Sequence, residues 1–299
     1  MATQSDTPLG GFVDSHFHIW DIKTTRFGYR WPREDSGVPF KYTPAQLVDV
    51  MKPTNVEHAV FVQVNNNCPE ETVWLCELAE EYKFIKGIVA GLDPTDKDFG
   101  ATLDRLSQNP RVVGIRHLLE FEEPDWLIRD DVIEGLKILE SRGKTFDLQM
   151  VPALMKYVPT VSQRIPGLKM MVDHIAKPNI REGLFDDWAK DITKMAENPN
   201  MYCKISGMVT EVDTKKYTTL QEVEEQLVPY VKHVLDCFGP SRCMYGSDWP
   251  VSEMSGIPYK GVYDIACRLI NRLAPGPENT AAIFRDNAVK FYGLNLDLM

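Results

Sequence analysis

The stretch GFVDSHFHIWD, residues 11–21, closes an apolar run with two of the chain's six histidines, His16 and His18, on either side of a phenylalanine. In a β-strand, residues two apart point to the same side. Both imidazoles can therefore approach one centre, provided that residues 12–20 are a strand and that other polar groups reach the same place.

Seven further apolar runs follow: HAVFVQVNN (58–66), FIKGIVAGLD (84–93), VVGIRHLLE (112–120), TFDLQMVP (145–152), LKMMVDHIA (168–176), MYCKISGM (201–208) and RCMYGSDWP (242–250). Their near-continuous hydrophobicity is that of strands covered on both faces, as in a parallel sheet. Helical patterns separate them. Thr43 and Pro44 open one as N-cap and first residue, and Val73, Leu75, Cys76, Leu78 and Ala79 lie at helical spacing in the next. A third presents Val132, Leu136 and Leu139 on one face before Gly143, and a fourth starts at the Thr219–Glu222 capping box and ends at Gly239. Pro229 is expected to kink or divide that last helix. Eight strands alternating with helices predict an α/β fold, a (β/α)8 TIM barrel. A doubly wound sheet would carry G-x-G-x-x-G after its first strand, and this chain does not. We expect one domain over residues 1–299, with its core at about 11–293.

The net charge of −10 argues against nucleic acid or an anionic membrane as partner. No apolar run is long enough for a membrane span, and the first residues lack the basic-then-apolar order of a secretory signal. The six cysteines form no C-x-x-C pair, which suggests reduced thiols and a cytoplasmic location.

In a parallel barrel the strand ends meet at one rim, where barrel enzymes carry their chemistry. His16 and His18 end the first strand, His174 in VDHIAKP the sixth, and Asp248 in YGSDWP the eighth. Imidazoles and a carboxylate can hold a divalent metal that polarises a carbonyl, or can act themselves as acid and base. An H-x-H pair alone is a weak sign; its coincidence with two other strand ends carries the reading.

DSHFHIWD, VDHIAKP and YGSDWPV together resemble the amidohydrolase-2 branch of the amidohydrolase superfamily, and within it the sugar-lactonase group of L-fuconolactonase and L-rhamnono-γ-lactonase type. The resemblance covers about residues 11–293 and implies a barrel of metal-dependent-hydrolase type. It also implies water attack on the ring carbonyl of an L-fucono- or L-rhamnonolactone-like substrate, a small-molecule partner. Carried over residue by residue, it assigns His16, His18, His174 and Asp248 as ligands of one divalent ion, zinc or manganese. Asp248 and His174 are then also catalytic. One position departs. Metal-dependent relatives place a histidine at the end of the fifth strand, where this chain has Gln149, a poor zinc ligand. That departure favours a metal-independent reaction and leaves Gln149 as a substrate contact. A homo-oligomer stays open. So do two alternatives: a metal-dependent decarboxylase of aminocarboxymuconate type, and a non-catalytic carbohydrate-binding barrel.

Other rim residues extend the set. Arg116 could hold a substrate carboxylate or the lactone carbonyl, or pair with a rim carboxylate such as Glu120. Alternation directs Arg116 and His117 to opposite faces, so at most one of the two faces the centre unless the strand has ended. Gln63 and Lys204 interrupt apolar strands. They could bind sugar hydroxyls and neutralise a carboxylate or oxyanion, or serve as a satisfied core amide and a structural ion pair. Trp249 could stack on a sugar or fill the barrel mouth. Residues 21–43 show no strand or helix pattern but contain Arg26, Tyr29, Arg30 and Trp31. We read Tyr29 and Trp31 as substrate contacts on a loop over the site, with a structural clasp as the alternative.

Overall fold

The computed structural model describes residues 11–23, 27–123 and 125–298; Arg26 lies outside them. Eight parallel strands run in chain order around a barrel: β1 (Phe12–Phe17), β4 (Val56–Val62), β5 (Ile85–Gly91), β6 (Val112–His117), β7 (Thr145–Leu148), β8 (Met170–Val172), β9 (Met201–Ile205) and β10 (Cys243–Tyr245). Each lies where an apolar run predicted a strand. Most stop several residues before the run does, because the tails turn inward as the loops of the rim. The last strand meets the first through a short seam. Asp248 N–H donates to His16 O at 2.9 Å and His18 N–H to Trp249 O at 2.7 Å. Beneath it the buried Asp14 accepts from Ser247 N–H (2.8 Å) and the Tyr259 hydroxyl (3.1 Å).

The helices follow the sequence pattern closely. Thr43 and Gln46 form a reciprocal capping box on α1 (Pro44–Met51), and Thr219 and Glu222 form another on α8 (Leu220–Phe238). Pro229 does not divide α8, which runs through it as one helix. Its ring faces solvent, where water can satisfy the carbonyl that loses its intrahelical partner. The connection after β1, read as lacking strands, is pinned at its base by a two-residue antiparallel pair, β2 (Trp20–Asp21) with β3 (Lys41–Tyr42).

Two apolar layers share the strands. One packs the outer faces against the helices. The other fills the barrel with Val13, Val60, Val62, Val89, Val113, Met171 and Met244, and is plugged by Phe291, Tyr292 and Leu294 from the C-terminal segment. Between this plug and the rim lies a buried charge cluster. The Lys204 ammonium stands 2.7 Å from Asp147 Oδ2, 3.0 Å from Asp173 Oδ1 and 3.2 Å from His16 Nδ1. Tyr292 donates to Asp147 Oδ2 at 2.6 Å. Burial pushes the Asp147 carboxyl up to about 6, against the attraction of Lys204. Burial also opposes the charge on Asp173, but the Lys204 ammonium outweighs it, helped by His16 and Arg116, and holds that carboxyl well below the usual range.

Removing one partner of a buried ion pair leaves the other charge uncompensated. We therefore expect Lys204→Met to lower unfolding stability by about 3–5 kcal/mol in urea titrations. Wild-type stability in that variant would show that the ammonium is dispensable.

Candidate active site

At the C-terminal ends of the strands, His16 Nε2 and His18 Nε2 approach to 3.2 Å. Asp248 Oδ1 lies 3.8 Å from the first, 3.5 Å from the second and 3.7 Å from His174 Nε2. All four residues are buried. The barrel thus brings together the three histidines and the aspartate from the first, sixth and eighth strand ends.

Each side chain is fixed by its own contact. His18 Nδ1 lies 2.7 Å from Val62 O, a carbonyl that can only accept, so Nδ1 carries the proton and Nε2 is bare. His16 Nδ1 faces Lys204 and, at 3.4 Å, Asp173 Oδ1. His174 Nδ1 bonds Ser206 Oγ at 2.9 Å. Gly207 makes room for that ring, since a Cβ there would fall 2.5 Å from His174 Nδ1 and 3.1 Å from Asp248 Oδ2.

The backbone bends to deliver these groups. His174, Ile175, Ala176 and Lys177 all have positive φ, at 53°, 47°, 60° and 46°. Left-handed backbone costs an L-residue about 1–2 kcal/mol, and a β-branched residue such as Ile175 rarely adopts it. Asp248 has φ 57°, a conformation that aspartate tolerates better.

Burial lowers the pKa values of all three imidazoles, His174 to about 4 and His16 well below its ordinary value. The Lys204 ammonium adds to the effect at His16. For Asp248, burial favours the neutral acid, but the facing His174, His18 and His16 outweigh it and hold the carboxyl well below the usual range. The floor at neutral pH is a carboxylate among uncharged imidazoles.

The donors fit a divalent cation. A tetrahedral ion with bonds of about 2.0–2.1 Å places its ligand atoms about 3.3 Å apart, close to the His16–His18–Asp248 triangle. Gln149 contributes nothing to it. Its Nε2 donates to Glu120 Oε1 at 3.2 Å and to Asn65 Oδ1 at 3.5 Å.

Above the floor opens a cavity of about 900 Å³, lined by His18, Arg116, Gln149, His174, Asp248 and Trp31 among the residues singled out in the sequence. The others stand elsewhere. Lys204 lies beneath the floor. Gln63 supports Arg116: its carbonyl accepts from Arg116 Nη2 at 2.6 Å, and its own Nε2 donates to Arg116 O at 3.5 Å. His117 stacks on Trp126 and contacts Glu122, so Arg116 is the member of that pair that reaches the cavity. Tyr29 packs against Phe27. Trp249 packs against Tyr42 and donates to Glu253. Arg116 pairs with Asp173 at 3.2 Å, not with Glu120. Its Nε–H is buried with no acceptor among the described residues.

The sequence reading missed the upper wall, where Lys177, Arg181, Thr210, Glu211, Asp213, Thr214 and Lys215 line the cavity. These residues follow the strand ends of β8 and β9, on loops whose path periodicity does not reveal. It also missed Asp173, although a carboxylate directly before His174 in an apolar run was a signal for a buried partner.

The sequence and fold comparisons agree with this architecture. A family model described as amidohydrolase matches residues 13–294. The chain is 31% identical to an L-fucono-1,5-lactonase of Burkholderia ambifaria, over 95% of this chain and 96% of that one. It is 27% identical to an L-fucono-1,5-lactonase of Burkholderia multivorans, over 94% and 96%. Among solved structures, an amidohydrolase from Burkholderia multivorans with bound zinc superposes with a TM-score of 0.84 at 26% identity, covering 96% of this chain and all of that one. By the extent of the family match, the chain belongs to the amidohydrolase family.

Proposed function

We propose that this protein hydrolyses a sugar-acid lactone of the L-fucono- or L-rhamnonolactone kind. The observation that carries this reading is Asp248 at the floor of the cavity, 3.7 Å from His174 Nε2 and beside an Arg116 whose Nε–H has no acceptor among the described residues. Ester hydrolysis needs those parts: a base for water, donors for the oxyanion, and an acid for the leaving oxygen. The lactonase relatives support the substrate class.

In the proposed reaction, water adds to the ring carbonyl while Asp248 takes its proton. Arg116 and His174 stabilise the negative charge that develops on the carbonyl oxygen. The tetrahedral intermediate collapses, the ring C–O bond breaks, and Asp248 returns the proton to the departing alkoxide. The product is the open hydroxy acid. A divalent ion held by His16, His18 and Asp248 supplies Lewis-acid polarisation of the carbonyl when bound.

The cavity wall supports a neutral polyol ring. It carries four cations (Arg116, Lys177, Arg181, Lys215) and four carboxylates (Glu120, Glu211, Asp213, Asp248). A substrate bearing several carboxylates would call for an excess of cations. Trp31 lines the same wall and offers an apolar face to sugar C–H groups.

A panel of sugar lactones assayed with a pH indicator tests the reading directly, and hydrolysis of none of them would reject it. We expect folded Asp248→Asn to lose kcat by roughly 10²-fold or more; unchanged turnover would remove Asp248 from the mechanism. With Gln149 in place of a fifth-strand histidine ligand, we expect less than one equivalent of metal in unsupplemented protein, rising to one per chain with added zinc. Elemental analysis checks this, and a full equivalent without supplementation would contradict it. Trp31→Ala should raise KM by about tenfold with a smaller change in kcat. Unaltered kinetics on every lactone would make the loop a structural clasp.

A further inference from the structure

We propose that Trp188, on the outer side of the barrel, is a positioning residue for this site. Its indole N–H holds the Ile175 carbonyl and so keeps the left-handed turn 174–177 closed. The proposal rests on reading His174 as part of the catalytic floor.

The turn has little reason to persist by itself. Four consecutive L-residues with positive φ, one of them β-branched, prefer right-handed or extended backbone. One local bond closes it, from Lys177 N–H to His174 O at 2.9 Å. Conformations of this kind survive only where their surroundings over-determine them.

The surroundings supply a clamp. Trp188 sits in α7 (Asp186–Ala196), the helix that follows the turn. Its Nε1–H donates to Ile175 O at 2.7 Å, inside the protein. The carbonyl it holds belongs to the middle of the turn and points away from the cavity, toward the helix layer. The indole has little freedom, because Phe185, Tyr230 and His233 pack around it with ring centroids 5.6, 5.2 and 5.6 Å away.

What the clamp holds lies on the other side of the backbone. His174, at the start of the turn, reaches Asp248. Lys177, at its end, lines the cavity and faces Glu120 at 3.9 Å. If the turn relaxed to right-handed backbone, both side chains would leave their places together. One buried hydrogen bond thus couples the packing of α7 and α8 to a catalytic imidazole and to a wall cation.

Trp188→Phe keeps the ring and deletes the donor. We expect kcat on the preferred lactone to fall by at least about tenfold, the scale on which a misplaced catalytic group acts, and the Lys177 amide to exchange with deuterium at least about tenfold faster than in the wild type. Ala176→Gly in the same background removes the Cβ that opposes the left-handed conformation. The double variant should therefore recover both turnover and protection. Packing alone would not be rescued in this way. Wild-type turnover and exchange in Trp188→Phe would overturn the proposal, and so would a loss that Ala176→Gly does not repair. If Trp188→Phe alone does not fold, the double variant must fold; its failure would also overturn the idea. Should the wild type hydrolyse no lactone, only the proposed function falls, and the exchange measurements still decide whether Trp188 holds the turn.

Discussion

A single ammonium group inside the barrel organises the site from below. Lys204 comes from β9, Asp147 from β7, Asp173 from the end of β8 and His16 from β1, and all meet within hydrogen-bonding range. Taking an ammonium out of water costs several kcal/mol, and here two carboxylates and a tyrosine-backed hydrogen bond offset it. The consequences reach the rim. With Asp173 held by Lys204, the same carboxylate also receives Arg116, and Arg116 in turn grips the Gln63 carbonyl on the loop after β4. Six strands are thereby tied through ionic and polar contacts that a water-filled barrel would screen. The apolar plug around Phe291 and Tyr292 keeps them dry.

The division between floor and wall follows from this. Floor groups sit on strand ends or up to three residues beyond, locked by bonds to backbone or to buried charge. The wall is built from loops, where Glu120, Lys177, Arg181 and Glu211 have long side chains and fewer fixed partners. Rigid elements suit chemistry, which tolerates little misplacement. Loops suit selection, since they can vary without disturbing the strands. The left-handed turn at 174–177 is where the two regimes meet, because it starts with a floor histidine and ends with a wall lysine.

The same logic explains what could be read from the sequence. Strand positions were legible because continuous apolar runs in a parallel barrel have few other homes. The convergence of His16, His18, His174 and Asp248 followed from strand order alone. Lys204, Asp147 and Asp173 each interrupt an apolar run; a lone charge there demands a partner, and three of them demanded one another. The pairing stayed hidden because it depends on the barrel's stagger, which no local pattern encodes. Side-chain direction was equally opaque for Tyr29 and Trp249. An aromatic at the rim can face the substrate or the neighbouring aromatics, and Phe27 gave Tyr29 such company as Tyr42 gave Trp249. The turn at residues 174–177 had no sequence signal at all, since nothing in DHIAK announces left-handed backbone.

The electrostatic state of the floor ties these parts to chemistry. Burial removes charge from the imidazoles, while the Asp248 carboxyl is held well below the usual carboxylate range. Among the described residues the charge of Asp248 has no ion pair with a lysine or arginine: Arg116 Nη1 pairs with Asp173, and Lys204 with the carboxylates below. Such a charge in a low-dielectric pocket attracts whatever positive species can reach it. A divalent cation is one such species, and the His16–His18–Asp248 triangle offers it three ligand atoms. Metal affinity at Asp248 thus depends on where the buried lysine and arginine are already engaged, while its depressed pKa keeps it in the ionised form that either a ligand or a general base needs.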